Sequence, residues 1–458
     1  MKFTKFGKAL LMSALSAGVV VSVTSCVQSY SVGYLYVTGN ETAQSSNSGI
    51  ISGYKIDHNT GKLTSINGLP VSTGGANPVR AVLLTGSRFL YVLNRGVNAA
   101  GNGNCTTAAP CTGSSITQFA VGGNGILTPQ ETFYTQGINP FRLLADSSGG
   151  FLYVLDHDSP APNSTSAIPV AGTTAHPDPA CALALGSIKT CGDVTVFKID
   201  STTGRLSVVV NAQVSAASGT SIPYFPVPPN PVDFLFAGNT LITMSGTAST
   251  SFPYIHGTSV FPYLWGAGAG QLTISQNSPQ VLSINEGTAL SYTGGNLFVM
   301  DNEPITVSGV TSPSQILPFT VTASGSLQPQ TIGAVAITPA QSDPIVVLAE
   351  SKNKWLYVAN QGNLTDTSNA ASGIDAFVIQ SPFNLQELPG APFGSGSGPQ
   401  CMVEDPSNQF IYTANFNDST VTGRLIEQNS GILKNLNGTS TYTLPGQPTW
   451  CLVDGRTS

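Results

Sequence analysis

A chain of 458 residues is long enough for several domains, yet only 9% of it is charged and its net charge is −6 at neutral pH. Its abundant Ser, Thr, Asn and Gly imply a surface covered by hydroxyls and amides rather than ions. Such a surface offers no basic stripe for phosphates, which excludes a nucleic-acid partner.

The first predicted element is a targeting segment. Lys2, Lys5 and Lys8 form a basic start, and residues 9–23 form an apolar run too short to span a bilayer comfortably. The run ends in Val23-Thr24-Ser25-Cys26, two small residues before a cysteine, which resembles a bacterial lipobox. The resemblance implies a signal peptide over 1–25, cleavage before Cys26, lipid modification of that cysteine, and a tether over 26–33. An ordinary signal peptide with an incidental cysteine is the alternative. Val27 rather than Asp follows the cysteine, which by analogy with enterobacterial lipoproteins implies the outer membrane. Each buried acyl methylene contributes about 0.8 kcal/mol, so several chains anchor a protein durably. The expectation is an exported protein of the bacterial cell envelope that meets the membrane through its lipid anchor only.

From Tyr34 onward one pattern recurs. Five strands carry an aromatic frame: Tyr34-Leu35-Tyr36-Val37, Phe89-Leu90-Tyr91-Val92, Phe151-Leu152-Tyr153-Val154, Trp355-Leu356-Tyr357-Val358 and Phe410-Ile411-Tyr412-Thr413. Two weaker copies, Thr240-Leu241-Ile242-Thr243 and Asn296-Leu297-Phe298-Val299, fill the gap between the third and fourth. Most copies follow an apolar run that begins with Pro, as at Asn77-Pro78, Asn139-Pro140, Asn230-Pro231, Asp343-Pro344 and Gly398-Pro399. A tight polar turn joins the two strands. A variable segment, a third strand and a Gly hairpin into a fourth strand come next, as at Thr203-Gly204-Arg205-Leu206 and Ser430-Gly431-Ile432-Leu433. Gly supplies the positive φ of such hairpins. Four antiparallel strands repeated radially describe a propeller blade.

First strands start near residues 77, 139, 230, 285, 343, 399 and 448. The first aromatic strand has no first strand ahead of it, and the last first strand has no aromatic strand after it. The C-terminal strand is therefore expected to complete the N-terminal blade, which leaves no open edge. The reading is an all-β protein: one seven-bladed β-propeller of four-stranded antiparallel blades over 34–458, acting as a monomer.

Strands of the type Leu356-Tyr357-Val358-Ala359-Asn360, with Gly-x-Leu hairpins, resemble the YVTN-type propellers. More closely they resemble the seven-bladed lactonase family that includes bacterial 6-phosphogluconolactonase. The similarity covers nearly all of 34–454 and implies hydrolysis of a sugar or other lactone. The family places a histidine directly after the first-strand Pro, with arginine and glutamate from nearby blades. Here Val79, Phe141, Val232, Ile345, Gln400 and Thr449 stand at that position, and none is His.

Apart from Cys26, the chain holds six cysteines, an even number for an exported protein. Cys105 with Cys111 and Cys181 with Cys191 are expected disulfides within polar insertions. Cys401 and Cys451 occupy matching places in two repeats, as either a bridge or two buried thiols.

Nearly every insertion falls on one face: residues 95–114, 157–192, 245–258, 302–314 and 361–373, with the approach 211–230. Long loops on one rim of a rigid scaffold are where binding concentrates. Two residues after each Pro a ring reads Arg80, Arg142, Asp233, Thr288, Val346, Cys401 and Trp450. Arg80 and Arg142, with Asp233 and with Arg95 on the same rim, are the ligand-binding candidates, because paired guanidiniums grip a carboxylate or phosphate in forked fashion. Arg142 and Asp233 can equally staple a seam between blades. His157, set between Asp156 and Asp158, is a candidate general acid or base, with Asp156 and Glu303 as further catalytic candidates. Alternatively, Asp156 and Asp158 cap the loop and His157 is a solvated bystander. A metal held by Asp156, Asp158, His176 and Asp178 has no fixed geometry, and no cofactor or metal is expected. The expected function is binding of a small anion, a glycan or an envelope protein at the loop-rich face, or alternatively hydrolysis of a lactone.

Overall fold

The computed structural model describes residues 30–455 apart from 42–47, 85, 87, 106–108, 161–178, 186–190, 216–218, 249–254, 267, 285, 308, 339–340, 363–370 and 381–382. Seven antiparallel blades follow one another around the ring. Their first strands are Gly446–Asp454 in blade 1, Pro78–Leu83 in blade 2, Ile138–Ala145 in blade 3 and Pro231–Ala237 in blade 4. Gly287–Thr293, Pro344–Ala349 and Pro399–Glu404 open blades 5, 6 and 7. Each is hydrogen-bonded to an aromatic-type second strand, then to a third and a fourth further out.

The closure expected from the two complementary deficits is present. Ser31–Glu41 pairs with Gly446–Asp454, placing Tyr34 opposite Asp454 and Thr38 opposite Trp450. Cys401 and Cys451 form a disulfide, which ties the first strand of blade 7 to that of blade 1. The N-terminal strand already begins at Ser31, inside the stretch read as a tether.

Among the described residues the core is divided, each seam between blades holding its own cluster. Successive side chains of a strand point to opposite faces, so alternate residues of each aromatic strand serve different seams. Tyr34 and Tyr36 face blade 2, while Leu35 and Val37 face blade 7. The repeated tyrosine also stitches the ring. Tyr36 Oη donates to Gly125 O at 2.8 Å, Tyr357 Oη to Gly431 O at 2.7 Å, and Tyr412 Oη to Gly61 O at 2.6 Å, each acceptor in the next blade's outer hairpin. Gly431 meets two demands at once. Its φ is +74°, and a Cβ there would lie 2.5 Å from the Trp355 ring of blade 6.

The terminal Asn of the aromatic strand is a polar plug. Asn94 Nδ2 donates to Thr73 O and Thr117 Oγ1, each at 3.2 Å. Asn360 Nδ2 donates to Asp375 Oδ2 at 2.9 Å, and Asn415 Nδ2 to Thr422 Oγ1 at 3.1 Å. In blades 3 and 5 the same position is Asp156 and Asp301.

Three details differ from the sequence reading. The insertion of blade 3 carries a short helix, Pro179–Leu185. In blade 4 the strands Thr240–Ala248 and Ile255–Gly266 continue into the expected loop as a projecting hairpin. Gly287, not a residue before it, takes the Pro position of blade 5, so the ring member there is Ala289 rather than Thr288. Among the described residues no helix is long and apolar enough to cross a membrane.

Candidate functional site

Every first strand has a bulge immediately after its Pro or Gly. The pairing skips Val79, Phe141, Val232, Thr288, Ile345, Gln400 and Thr449 in turn. A bulge re-aims its side chain. Here Val79, Thr288, Ile345, Gln400 and Thr449 become walls of a cavity of about 290 Å³ on the loop-rich face. Arg80, Arg142, Ala289, Asp343, Gln361 and Trp450 complete its lining. Trp450 also borders a wider chamber of about 640 Å³ whose other walls include Leu83, Leu144, Leu348 and Leu452.

The two arginines of the ring converge as expected. The Arg80 guanidinium lies 3.5 Å from the centre of the Trp450 ring and has no hydrogen-bond partner among the described residues. Burial, then the charge of Arg142, pulls it down to about 9, against the opposing pull of Asp233. Arg95 enters the same field: burial and Arg142 pull it down to about 10. Its Nη2 donates to Cys105 O at 3.1 Å, while its Nε is buried without a partner among the described residues. Arg142 plays the stapling part. Its Nε donates to Asp233 Oδ1 at 2.8 Å, and Asp233 Oδ2 accepts from Leu290 N at 2.9 Å, joining blades 3, 4 and 5.

The opposite wall is acidic. Asp343 precedes Pro344 with φ +53°, and its Oδ1 is shut from solvent with no partner among the described residues. Burial, then the charge of Glu286, pushes this carboxyl up to about 7. Glu286 precedes Gly287 in the neighbouring blade, and its carbonyl accepts from Asn302 N at 3.0 Å. Blades 2 and 3 therefore bring cations to the mouth, and blades 5 and 6, across the ring, bring carboxyls. Sequence reasoning passed over Asp343. A signal was available: the series before Pro reads Asn77, Asn139, Asn230, Asp343 and Gly398, with one acid among residues that favour a left-handed backbone.

The other expected catalytic residues lie elsewhere. His157 Nδ1 is 3.1 Å from Asp158 Oδ2, which accepts from Asn139 Nδ2 at 3.2 Å, and the pair is not part of the cavity wall. Asp156 is buried inside blade 3 opposite Asp193 and accepts from Thr195 Oγ1 at 3.1 Å. Burial pushes it up to about 8. It turns away from His157 because neighbours on a strand face opposite ways, and it fills the plug position of its blade. Glu303 is half-buried on the loop of blade 5, its N–H donating to Asp301 Oδ1 at 3.1 Å, outside the cavity wall.

The disulfides Cys105–Cys111 and Cys181–Cys191 are formed as expected. The first shapes the rim, since Arg95 leans on Cys105 O and Cys111 N donates to Asn139 Oδ1 at 2.8 Å. Cys26, the 1–25 segment, His176 and Asp178 lie outside the described residues. Among those described, no group of three His, Cys, Asp or Glu is placed to hold a metal.

Comparison with known proteins agrees with this architecture. Residues 34–164 match the family model "Lactonase, 7-bladed beta-propeller", while no curated protein matches the chain. Among solved structures, a periplasmic gluconolactonase of Pseudomonas aeruginosa superposes with TM-score 0.60 at 15% identity, over 92% of this chain and 99% of that one. A Bacteroides uniformis protein provisionally assigned as a 6-phosphogluconolactonase gives 0.60 at 13%, over 92% and 99%. A Lactobacillus plantarum protein gives 0.60 at 15%, with the same coverage. At such identities the likeness is one of fold. The chain is a seven-bladed β-propeller whose residues 34–164 carry the signature of the lactonase family.

Proposed function

We propose that this propeller binds a small anion, a carboxylate or phosphate of sugar-acid size, at the loop-rich mouth of its channel. One observation carries the reading: Arg80 is held against Trp450 with its hydrogen-bonding groups uncommitted, beside Arg142, whose charge Arg95 also feels. A half-buried guanidinium kept beside another cation favours an anion that neutralises the cluster. Calorimetric titration with gluconate and with 6-phosphogluconate tests it. Hydrogen bonds to charged groups contribute about 1.5–3 kcal/mol each, so Arg80→Met is expected to weaken binding roughly 10- to 100-fold. Unchanged affinity in that variant sinks the reading.

Lactone hydrolysis is the second reading, favoured by the family match of residues 34–164 and by the carboxyl wall facing the arginines. A panel of sugar and other lactones, assayed with soluble protein starting at Val27, decides it. Export and lipidation at Cys26 belong to the same proposal. Three disulfides support an oxidising compartment. Cys26→Ser should release the protein from membrane fractions, and retention there would remove the anchor.

A further inference from the structure

We propose that Asp343 is the acid–base residue of this mouth, taking the proton of the water that attacks a lactone carbonyl held by Arg80 and Arg142. The proposal rests on the hydrolase reading.

The repeat supplies its own control. Asn77 and Asn230 stand where Asp343 stands, each in a left-handed backbone before Pro. Their side-chain amides donate to a loop carbonyl, Asn77 Nδ2 to Gly96 O at 2.7 Å and Asn230 Nδ2 to Gly246 O at 3.1 Å. Blade 6 has the same backbone frame. Gln361 N donates to Asp343 O at 2.8 Å as Arg95 N does to Asn77 O at 2.9 Å. Gly362 N donates to Ser342 O at 2.9 Å as Gly96 N does to Ala76 O at 3.0 Å. The frame asks for an N–H donor, and an ionised carboxylate has none. Asn would satisfy the fold better, so the fold does not explain the acid.

The surroundings explain it as a proton-exchanging group. Burial, and then the charge of Glu286, raises its pKa to about 7, which divides the group between both protonation states near neutrality. Among the described residues, the charged groups around it are Glu286 at the entry of blade 5 and, in the cavity walls, Arg80 and Arg142. Gln361 and Ser314, which also border it, are uncharged. In the step proposed, the water oxygen bonds to the carbonyl carbon while its proton passes to the Asp343 carboxylate. The tetrahedral adduct then breaks its ring C–O bond, and Asp343 returns the proton to the departing ring oxygen. The product is the open hydroxy acid, which gives its remaining acidic proton to solvent and leaves its carboxylate against the arginines.

The test is Asp343→Asn, the residue used by blades 2, 3 and 4, with Asp343→Gly, the residue of blade 7, as a second variant. Both suit the left-handed backbone. A positioned general base contributes about 10²–10⁴-fold, so kcat/KM for the lactone that the parent hydrolyses best is expected to fall about 100-fold or more in each. Calorimetric affinity for the product anion should stay within about threefold. In the parent, kcat/KM should rise with pH and level off above about 7, and this limb should vanish in both variants. The thermal midpoint of Asp343→Asn should equal or exceed the parent's, because the amide regains a donor for the loop carbonyl. Hydrolysis within about threefold of the parent, or an unchanged pH limb, overturns the proposal and leaves the hydrolase reading intact. A parent inactive on every lactone overturns both, and the anion titration then stands alone.

Discussion

Replacing Arg142 with Met separates stapling from ligand binding. Asp233 is 4% exposed. It accepts from Arg142 Nε at 2.8 Å, from Phe234 N at 3.0 Å and from Leu290 N at 2.9 Å. Removing one partner of a buried ion pair costs about 3–5 kcal/mol. Two backbone donors remain, the Arg142 side chain is 25% exposed, and its loss relieves repulsion on Arg80 and Arg95. The low end, about 3 kcal/mol, is therefore expected. Partners for the double variant are not equivalent. Asp233→Leu would strand the Leu290 N–H at about 1–3 kcal/mol, whereas Asp233→Asn keeps an acceptor and carries no charge. Arg142→Met with Asp233→Asn should thus lose only about 1 kcal/mol against the parent, while Arg142→Met with Asp233→Leu recovers less. Urea unfolding followed by tryptophan fluorescence at pH 7 measures all four proteins. Arg142→Met within about 0.5 kcal/mol of the parent would refute the stapling argument, and a simultaneous loss of anion affinity would reassign Arg142 to the ligand.

Two further outcomes follow from the fold. The Cys401–Cys451 bridge closes a loop with a sequence separation of 50 across the ring junction; chain entropy assigns it about 4 kcal/mol, so Cys401→Ser with Cys451→Ser should lower the urea midpoint and expose the C-terminal strand to protease, and an unchanged midpoint would deny the bridge its role in closure. Asp156 holds its proton up to about 8 in the folded protein, whereas an unfolded Asp releases it near 3.9. The stability it contributes is full below about pH 4 and lost as pH rises through about 8, at no more than about 1.4 kcal/mol per pH unit. Asp156→Asn, the residue of blades 2, 6 and 7 at this position, should flatten that slope between pH 5 and 8, and an unaltered slope would deny Asp156 its part in it.

The sequence by itself determined the architecture. Blade count, closure by the last strand, the loop-rich face and two disulfides were all legible, because each rests on a short signal: alternation of side chains, a Gly hairpin, a Pro at a strand start. Seven repetitions made those signals redundant, so the weak copies at Thr240 and Asn296 could be placed by spacing alone. The convergence of Arg80 and Arg142 was legible for the same reason, since equivalent strand positions in adjacent blades must meet at one mouth.

Only the tertiary structure decided which polar groups share that mouth. Asp156 and His157 are neighbours in the chain, yet the strand turns one into the blade and leaves the other outside the cavity wall. Arg80 and Asp343 are far apart in the chain, yet they line one cavity because blades 2 and 6 meet across the channel. No local pattern encodes that meeting. It arises from ring closure, which brings distant positions to one axis, and from the bulge that re-aims each first strand as it enters the channel.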